Sequence, residues 1–183
     1  MIFWQEKAIG RFSVQERSLL KDSNSLTLTL GTGDILDRYD YFSYVYGMKK
    51  GQYSKCITQN NLYWWDANKK AILQLNSENG ITNLAKAKST TNLINSTTSF
   101  VENPKIVYDS KYDEVLFNLT DGSTIVYNEF VQNFSSRYSM NIESQLVFKD
   151  FILFTNSVNS VKLYKWNYGD YSNLLGNTYT VSL

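Results

Sequence analysis

The chain has 183 residues, with 18 basic and 17 acidic side chains, a formal net charge of +1, one cysteine and no histidine. So even a balance leaves no concentrated basic face to displace counterions from nucleic acid. The missing histidine excludes Ser–His and Cys–His nucleophile systems and the usual zinc sites. What stays open is carboxylate chemistry, a lysine nucleophile, or magnesium or calcium held by oxygen ligands.

Aromatic residues make up 15% of the chain, with 14 Tyr, 10 Phe and 4 Trp against a single Pro. Aromatic side chains fill the pleated, half-buried face of a sheet, so the composition leans to β structure. Its turns must come mainly from Asn, Asp, Ser and Gly. The lone Cys56 cannot form an intramolecular disulfide and reads as a small buried hydrophobe at a strand edge. The lysine groups Lys49–Lys50, Lys69–Lys70 and Lys86/Lys88 read as solvated turn and helix-surface positions. No basic-then-apolar leader opens the sequence, and no apolar run approaches the roughly twenty residues that cross a bilayer. The expectation is a chain made in a reducing cytoplasm, with no membrane contact and no direct nucleic-acid contact.

In chain order, residues 1–24 read as an N-terminal arm, with Ser13 to Leu20 a short helix or turn carrying Ser13 and Glu16 at capping-box spacing. Ser25 to Leu30 alternates Leu with Thr and predicts a half-buried strand. Asp34 to Gly47 reads as a loop followed by a strand, with its tyrosines at a surface that something else covers. From Ser54 a succession of hairpins begins. Asn61–Asp66 and Ala71–Leu75 are strands around the turn Ala67–Lys70, and Thr82 to Ile94 holds one short crossover helix.

A second unit starts at Pro104, with strands at Lys105–Tyr108, Glu114–Leu119 and Thr124–Glu129 and a further one at Phe134–Met140. Asp121-Gly122 sits between two of them as a hairpin pair. A third unit has strands at Gln145–Phe148, Phe151–Thr155, Val161–Asn167 and Thr178–Leu183.

Leu62–Asp66, Val126–Asn128 and Leu163–Asn167 are copies of one motif, an apolar strand ending in an aromatic followed by Asp or Asn. Their spacing of roughly 35 to 55 residues fits propeller blades. The reading is all-β, with propeller-like antiparallel sheets over residues 25–183 in about three units near 54–101, 104–140 and 145–183. Three blades do not close a ring. The sequence stops inside the strand Thr178–Leu183, and an open β edge is a pairing hazard. The sheets are therefore expected to be completed by another chain.

The run Tyr108 to Phe117, continuing through Leu119 and Ile125 to Ser139, resembles a recurrent segment of crAss-like bacteriophage structural proteins. So do Leu30-Gly31-Thr32-Gly33 with Tyr41, and later Leu62 to Asp66. The resemblance spans most of residues 26–140 and points to the muzzle and stabilisation-type components of the tail, proteins often far longer than this chain. It implies a non-enzymatic virion subunit assembled in the host cytoplasm, with other tail proteins, copies of itself or a longer or cleaved chain as partners. It brings no active site.

The remaining constellations are read as structural. Gly31-Thr32-Gly33-Asp34 lacks the third glycine and the lysine of a phosphate cradle. Asp34, Asp37 and Asp40 do not follow the ligand alternation of a calcium loop. Glu114 and Glu129 are the one carboxylate pair to name for glycoside hydrolysis, and read instead as edge-strand charges that block aggregation. Trp64 and Trp65 must point to opposite faces of a strand, one to core and the other to an inter-blade or inter-subunit contact.

No catalytic, cofactor-binding or metal-binding residue is assigned, and no cofactor. The interface candidates are Tyr41, Tyr44, Tyr46, Trp64, Trp65, Trp166 and Tyr179, since Tyr and Trp bury much area for few rotamers. The expected function is a structural virion protein held in a tail by aromatic contacts and strand completion. The alternative is a glycan-binding adhesin domain using Trp65 and the tyrosines.

Overall fold

The structure, a computed structural model, describes residues 1–15, 18–21, 27–30, 35–49, 53–98, 104–156, 159–169, 173–174 and 177–178. Its strands are β1 (Ile2–Trp4), β2 (Ile9–Gln15), β3 (Ser18–Lys21), β4 (Thr27–Leu30), β5 (Ile35–Ser43), β6 (Lys55–Ile57), β7 (Leu62–Asp66), β8 (Ala71–Asn76) and β9 (Gly80–Asn83). After the helices α1 (Leu84–Ala87) and α2 (Thr91–Thr98) come β10 (Lys105–Asp109), β11 (Glu114–Asn118), β12 (Ser123–Asn128), β13 (Asn133–Ser139), β14 (Ile142–Phe148), β15 (Phe151–Asn156), β16 (Asn159–Lys165), β17 (Asn173–Leu174) and β18 (Asn177–Thr178). The fold is all-β, in antiparallel propeller-like sheets, and none of them closes on itself among the described residues.

Four sheets carry the architecture, in the strand orders β1-β2-β5, β6-β7-β8-β9, β10-β11-β12-β13 and β14-β15-β16. They stack face to face in chain order, and the pleat explains how. In β7, all five residues are buried. Leu62 and Trp64 go to one side, where they pack with Ala71, Leu73, Ile9, Trp4, Tyr46 and Met48 against the first sheet. Tyr63 and Trp65 go to the other, where they meet Val115, Phe117, Ile125 and Tyr127 of the third sheet. The opposite face of the third sheet, Val107, Leu116 and Val126, packs on Ile152 and Trp166 of the fourth. The second and third sheets meet through their first strands, β6 against β10, the third and fourth through β10 against β14, and the first and second through β5 against β9. The seam between β6 and β10 is fixed by Ile106 N–H donating to Tyr53 O at 2.9 Å and Ser54 Oγ donating to Pro104 O at 2.5 Å. Blades of a propeller gather around their innermost strands in this way.

Four turns share one design. Asp66, Asn76, Asp109 and Asn128 each end a strand, and the side-chain oxygen accepts a backbone N–H two or three residues on, from Lys69, Asn79, Lys111 and Val131 respectively. The fourth residue after each, Lys70, Gly80, Asp113 and Gln132, takes positive φ, between 48° and 66°. The Asx side chain replaces the missing ladder bond, and the left-handed residue turns the chain back.

Several expectations change. Ser13 lies within β2 and Ser18 to Leu20 within β3, so the helix or turn expected across Ser13–Leu20 is two strands. Capping-box spacing there is outweighed by pairing of β2 with β5 along its whole length. In Asp34–Gly47, read as a loop followed by a strand, the strand comes first, over 35–43, and the chain then bends at Tyr44 and Val45, whose turn is held by Ser43 Oγ accepting from the Val45 and Tyr46 N–H groups. The crossover holds two short helices instead of one, preceded by β9. At Asp121-Gly122 the hairpin forms, but only Gly122 takes positive φ, while Asp121 Oδ1 accepts from Ser123 N–H and Oγ–H. Of the last expected strand only Thr178 is described, paired in β18 with β17. Tyr179 to Leu183 lie outside the described residues, as does Gly31 to Asp34.

Gly47 is buried, and a Cβ there would meet Gln5 O at 2.4 Å and Glu6 O at 2.6 Å. Both obstacles are backbone, so Gly47→Ala is expected to cost roughly 1–3 kcal/mol in chemical denaturation. Gly80→Asn, at positive φ with open space around it, is expected to cost well under 1 kcal/mol.

Candidate functional site

The chain's chemistry is distributed along the seams between sheets and over the two outer faces of the stack. The seam between the second and third sheets is organised by one carboxylate. Glu129 Oε1 accepts from Asn61 Nδ2 at 2.6 Å, Tyr63 Oη at 2.7 Å and Thr58 Oγ1 at 3.0 Å, and Gln74 Nε2 donates to Tyr63 Oη at 3.0 Å. Burial first, then the hydrogen bond to Glu129, pushes the Tyr63 phenol well above its ordinary range. Burial, with Glu129 nearby, also drives the Cys56 thiol far above the usual thiol range.

Glu114 sits on the interior strand β11, level with Asn128. Burial raises its carboxyl, and an Asn128 hydrogen bond partly opposes the rise. Neither acid lies on an edge strand of its sheet, so the reading of this pair as edge charges is corrected: Glu129 joins two sheets and Glu114 belongs to the interior of one. With three donors already converging on one oxygen, Glu129 is a structural tie.

The other seams follow the same rule. Asp66, 1% exposed, accepts the Gly47 N–H at 2.9 Å, and Trp64 Nε1 donates to Gly47 O at 3.2 Å. Asn118 Nδ2 donates to Gln145 Oε1, and Asn167 Nδ2 donates to Asp109 Oδ2 at 3.3 Å, tying the third sheet to the fourth. The motif that marks the sequence, a strand ending in Asp or Asn, thus doubles as turn cap and inter-sheet tie.

The candidate interface residues fall into distinct places. Trp64 and Trp65 are 0% and 2% exposed, so both indoles are spent on contacts between sheets of this chain. Tyr46 is half-buried against the Trp64 cluster. Trp166 is half-buried beside Ile152, with the rings of Tyr138 at 5.8 Å and Phe154 at 6.2 Å. Tyr41 is half-buried and Tyr44 is 74% exposed. Tyr179 lies outside the described residues.

Tyr41 and Tyr44 are part of a larger group, whose Phe3 and Phe12 sequence patterning missed. On the side of the first sheet away from the second, Phe3 stacks on Phe12 at 4.3 Å, and Tyr41 meets Phe3 at 5.5 Å, Tyr39 at 5.8 Å and Tyr44 at 4.6 Å. The Phe3 ring lies over Gly10, where an added Cβ would come within 2.6 Å of it. Phe3, Phe12 and Tyr39 are separated by the whole of a hairpin in sequence, and only register brings them together.

At the other end of the stack, the outer face of the fourth sheet carries Leu146, Phe148 and Leu163, exposed by 60%, 49% and 64%, with Phe151 and Leu153 between them. Lys165 lies across this face, its Nζ 4.0 Å from the Phe151 ring and 4.4 Å from that of Tyr168.

Among the described residues, no group of three Cys, Asp or Glu could hold a metal ion, and no helix is long and apolar enough to cross a membrane.

Stacked open sheets with apolar ends suit a building block, and the family comparison decides which kind. A sequence model of the Crassvirus muzzle protein matches residues 1–158. The chain belongs to that family. A search of the curated proteins finds no match. Membership in the muzzle family makes the chain a structural component of a phage virion, associated with other virion proteins. The match reaches from β1 into the fourth sheet, so it takes in the aromatic face, the buried seams and the start of the opposite face.

Replacing Glu129 by Ala strands three donors at a seam and is expected to lower stability by roughly 2–4 kcal/mol, whereas Glu129→Gln, which keeps one acceptor, should cost about half as much. Urea denaturation of the two variants measures the difference. Cys56 should alkylate slowly at pH 8 in the native chain and at the rate of a free thiol in denaturant, since its thiolate is suppressed by burial. A native rate equal to the denatured one would contradict that placement.

Proposed function

We propose that the chain is a non-enzymatic scaffold element of the phage tail, joined to neighbouring tail proteins and to copies of itself by aromatic contacts and by strand addition. The observation that carries this reading is the pair of outer faces, which stay exposed among the described residues. Tyr39, Tyr44, Leu146, Phe148 and Leu163 are each about half exposed or more, and interfaces draw on such aromatic and aliphatic anchors. The edge strands β13 and β16 offer backbone groups for addition of a further strand.

In this reading residues 1–24 are an attachment arm and residues 25–183 the blade-bearing body, although β2 pairs with β5 across that division. Tyr41 and Tyr44 serve the contacts directly. Trp64, Trp65, Tyr46 and Trp166 serve them indirectly, by holding the sheets that present the outer faces. The tail is assembled in the host cytoplasm, and the element contacts protein and not nucleic acid.

The glycan-binding alternative placed Trp65 at the binding platform, and that ring is 2% exposed between two sheets. It ranks second for that reason.

Mass spectrometry of purified virions tests the scaffold reading. The expected result is this polypeptide sequence in fixed stoichiometry with the other tail proteins. Its absence from particles, together with a glycan-dependent change in tryptophan fluorescence of the isolated chain, would favour the adhesin.

A further inference from the structure

The two outer faces are unlike in a way that selects a partner. The face built by Phe3, Phe12, Tyr39 and Tyr41 on the first sheet carries rings and tyrosine hydroxyls. Arg11, Arg38 and Asp40 point to the opposite side, where Asp40 pairs with both arginines at 3.4 Å and 3.3 Å. The outer face of the fourth sheet is aliphatic and aromatic, and it carries cations. Lys165 lies over Phe151 and Tyr168, and Lys149 is 5.7 Å from the Phe148 ring. Two copies of the fourth-sheet face brought together would oppose lysine to lysine. The same face laid on the first-sheet face would give its lysines further ring faces to lie against.

The interior of the chain already packs one sheet face on the next at three seams. Among the described residues each outer face lacks a sheet packed on it, and the opposite end of a second copy supplies one.

We infer that two copies of this chain associate head to tail, the β14–β16 face of each packing on the β1-β2-β5 face of the other. This rests on the scaffold reading above and names the partner of those two faces. Among the described residues each copy contributes four stacked sheets of three or four strands, so two contribute eight, at the upper end of the roughly four to eight blades that close a propeller. A closed pair makes the same contact twice. Each face then needs to bury only about 400 Å² for the whole to reach the ~1,600 Å² of a standard interface. The repeat of unlike faces also explains why closure matters: head-to-tail contacts that do not close run on into filaments.

Sedimentation analysis of the full chain across the micromolar to millimolar range reads the stoichiometry directly. The expected result is a single species of twice the chain mass. Tyr39→Asp and Leu163→Asp, at positions 60% and 64% exposed, should each weaken pairing by about tenfold or more, with circular dichroism unchanged.

Mixing the two variants is the decisive arm. One of the two contacts in the mixed pair is then intact, so the mixture should pair more tightly than either variant alone. A monomer at all concentrations, an open polymer, or a mixture no better than the separate variants overturns the proposal. A chain found in virions but monomeric in solution would overturn the pairing alone and leave the scaffold role standing. A chain that pairs but is missing from virions would do the reverse.

Discussion

Strand β7 has no solvent side, and the rest of the molecule follows from that. A strand sends alternate side chains to opposite faces, so five consecutive buried residues require an apolar layer on both. Trp64 reaches toward Ile9 and the first sheet, Trp65 toward Phe117 and the third. A two-sided sheet cannot sit at the surface of a sandwich; it must be an inner member of a stack. β12, with Ser123 to Tyr127 all buried, repeats the condition one sheet further on. Truncating a buried aromatic at such a position removes contacts and leaves a cavity, a loss of roughly 3–5 kcal/mol. The fold is thus held by large rings that each bridge two sheets.

Apolar packing alone does not set how one sheet sits on the next, since sliding costs little when both faces are greasy. Direction comes from the polar ties. Glu129 collects three donors from the second sheet, Asp66 holds the Gly47 amide, and Asp109 accepts from Asn167. Each is a group whose burial is tolerable only when its partner is in place. Among the described residues, three indole N–H groups, on Trp4, Trp65 and Trp166, are buried without an acceptor. They mark seams where ring volume has taken precedence over hydrogen bonding.

Much of this was legible from residue order. Leu62–Asp66, Glu114–Leu119 and Thr124–Glu129 announce themselves as strands because β-branched and aromatic residues lie between Asx turns, and the turn residues Ala67–Lys70 and Asp109–Asp113 are visible by type. The all-β class and the opposite orientations of Trp64 and Trp65 need only the pleat. What the sequence hid is whatever depends on partners distant along the chain. Ser13 to Gln15 looks like a helix start until β5 is known to lie beside it. Arg38 to Tyr41 alternates charged residues with tyrosines, the pattern of a strand with one aromatic and one charged face, but beside Asp34 and Asp37 it looks like a loop. The role of Glu129 could not be read, because its donors lie 66 to 71 residues earlier. Phe3, Phe12 and Tyr39 form a cluster only once register is fixed.

The stack also distributes rigidity unevenly. Among the described residues, the second and third sheets have neighbours on both sides, and the first and fourth have one each. In arrays where contacts run only between adjacent members, stability is close to a sum of member and nearest-neighbour contributions, and local opening begins where neighbours are fewest. The end sheets are then the most compliant parts of the chain. A particle built from such units would yield first at the joints between them, and its inner sheets would keep their shape while the joints adjust to load.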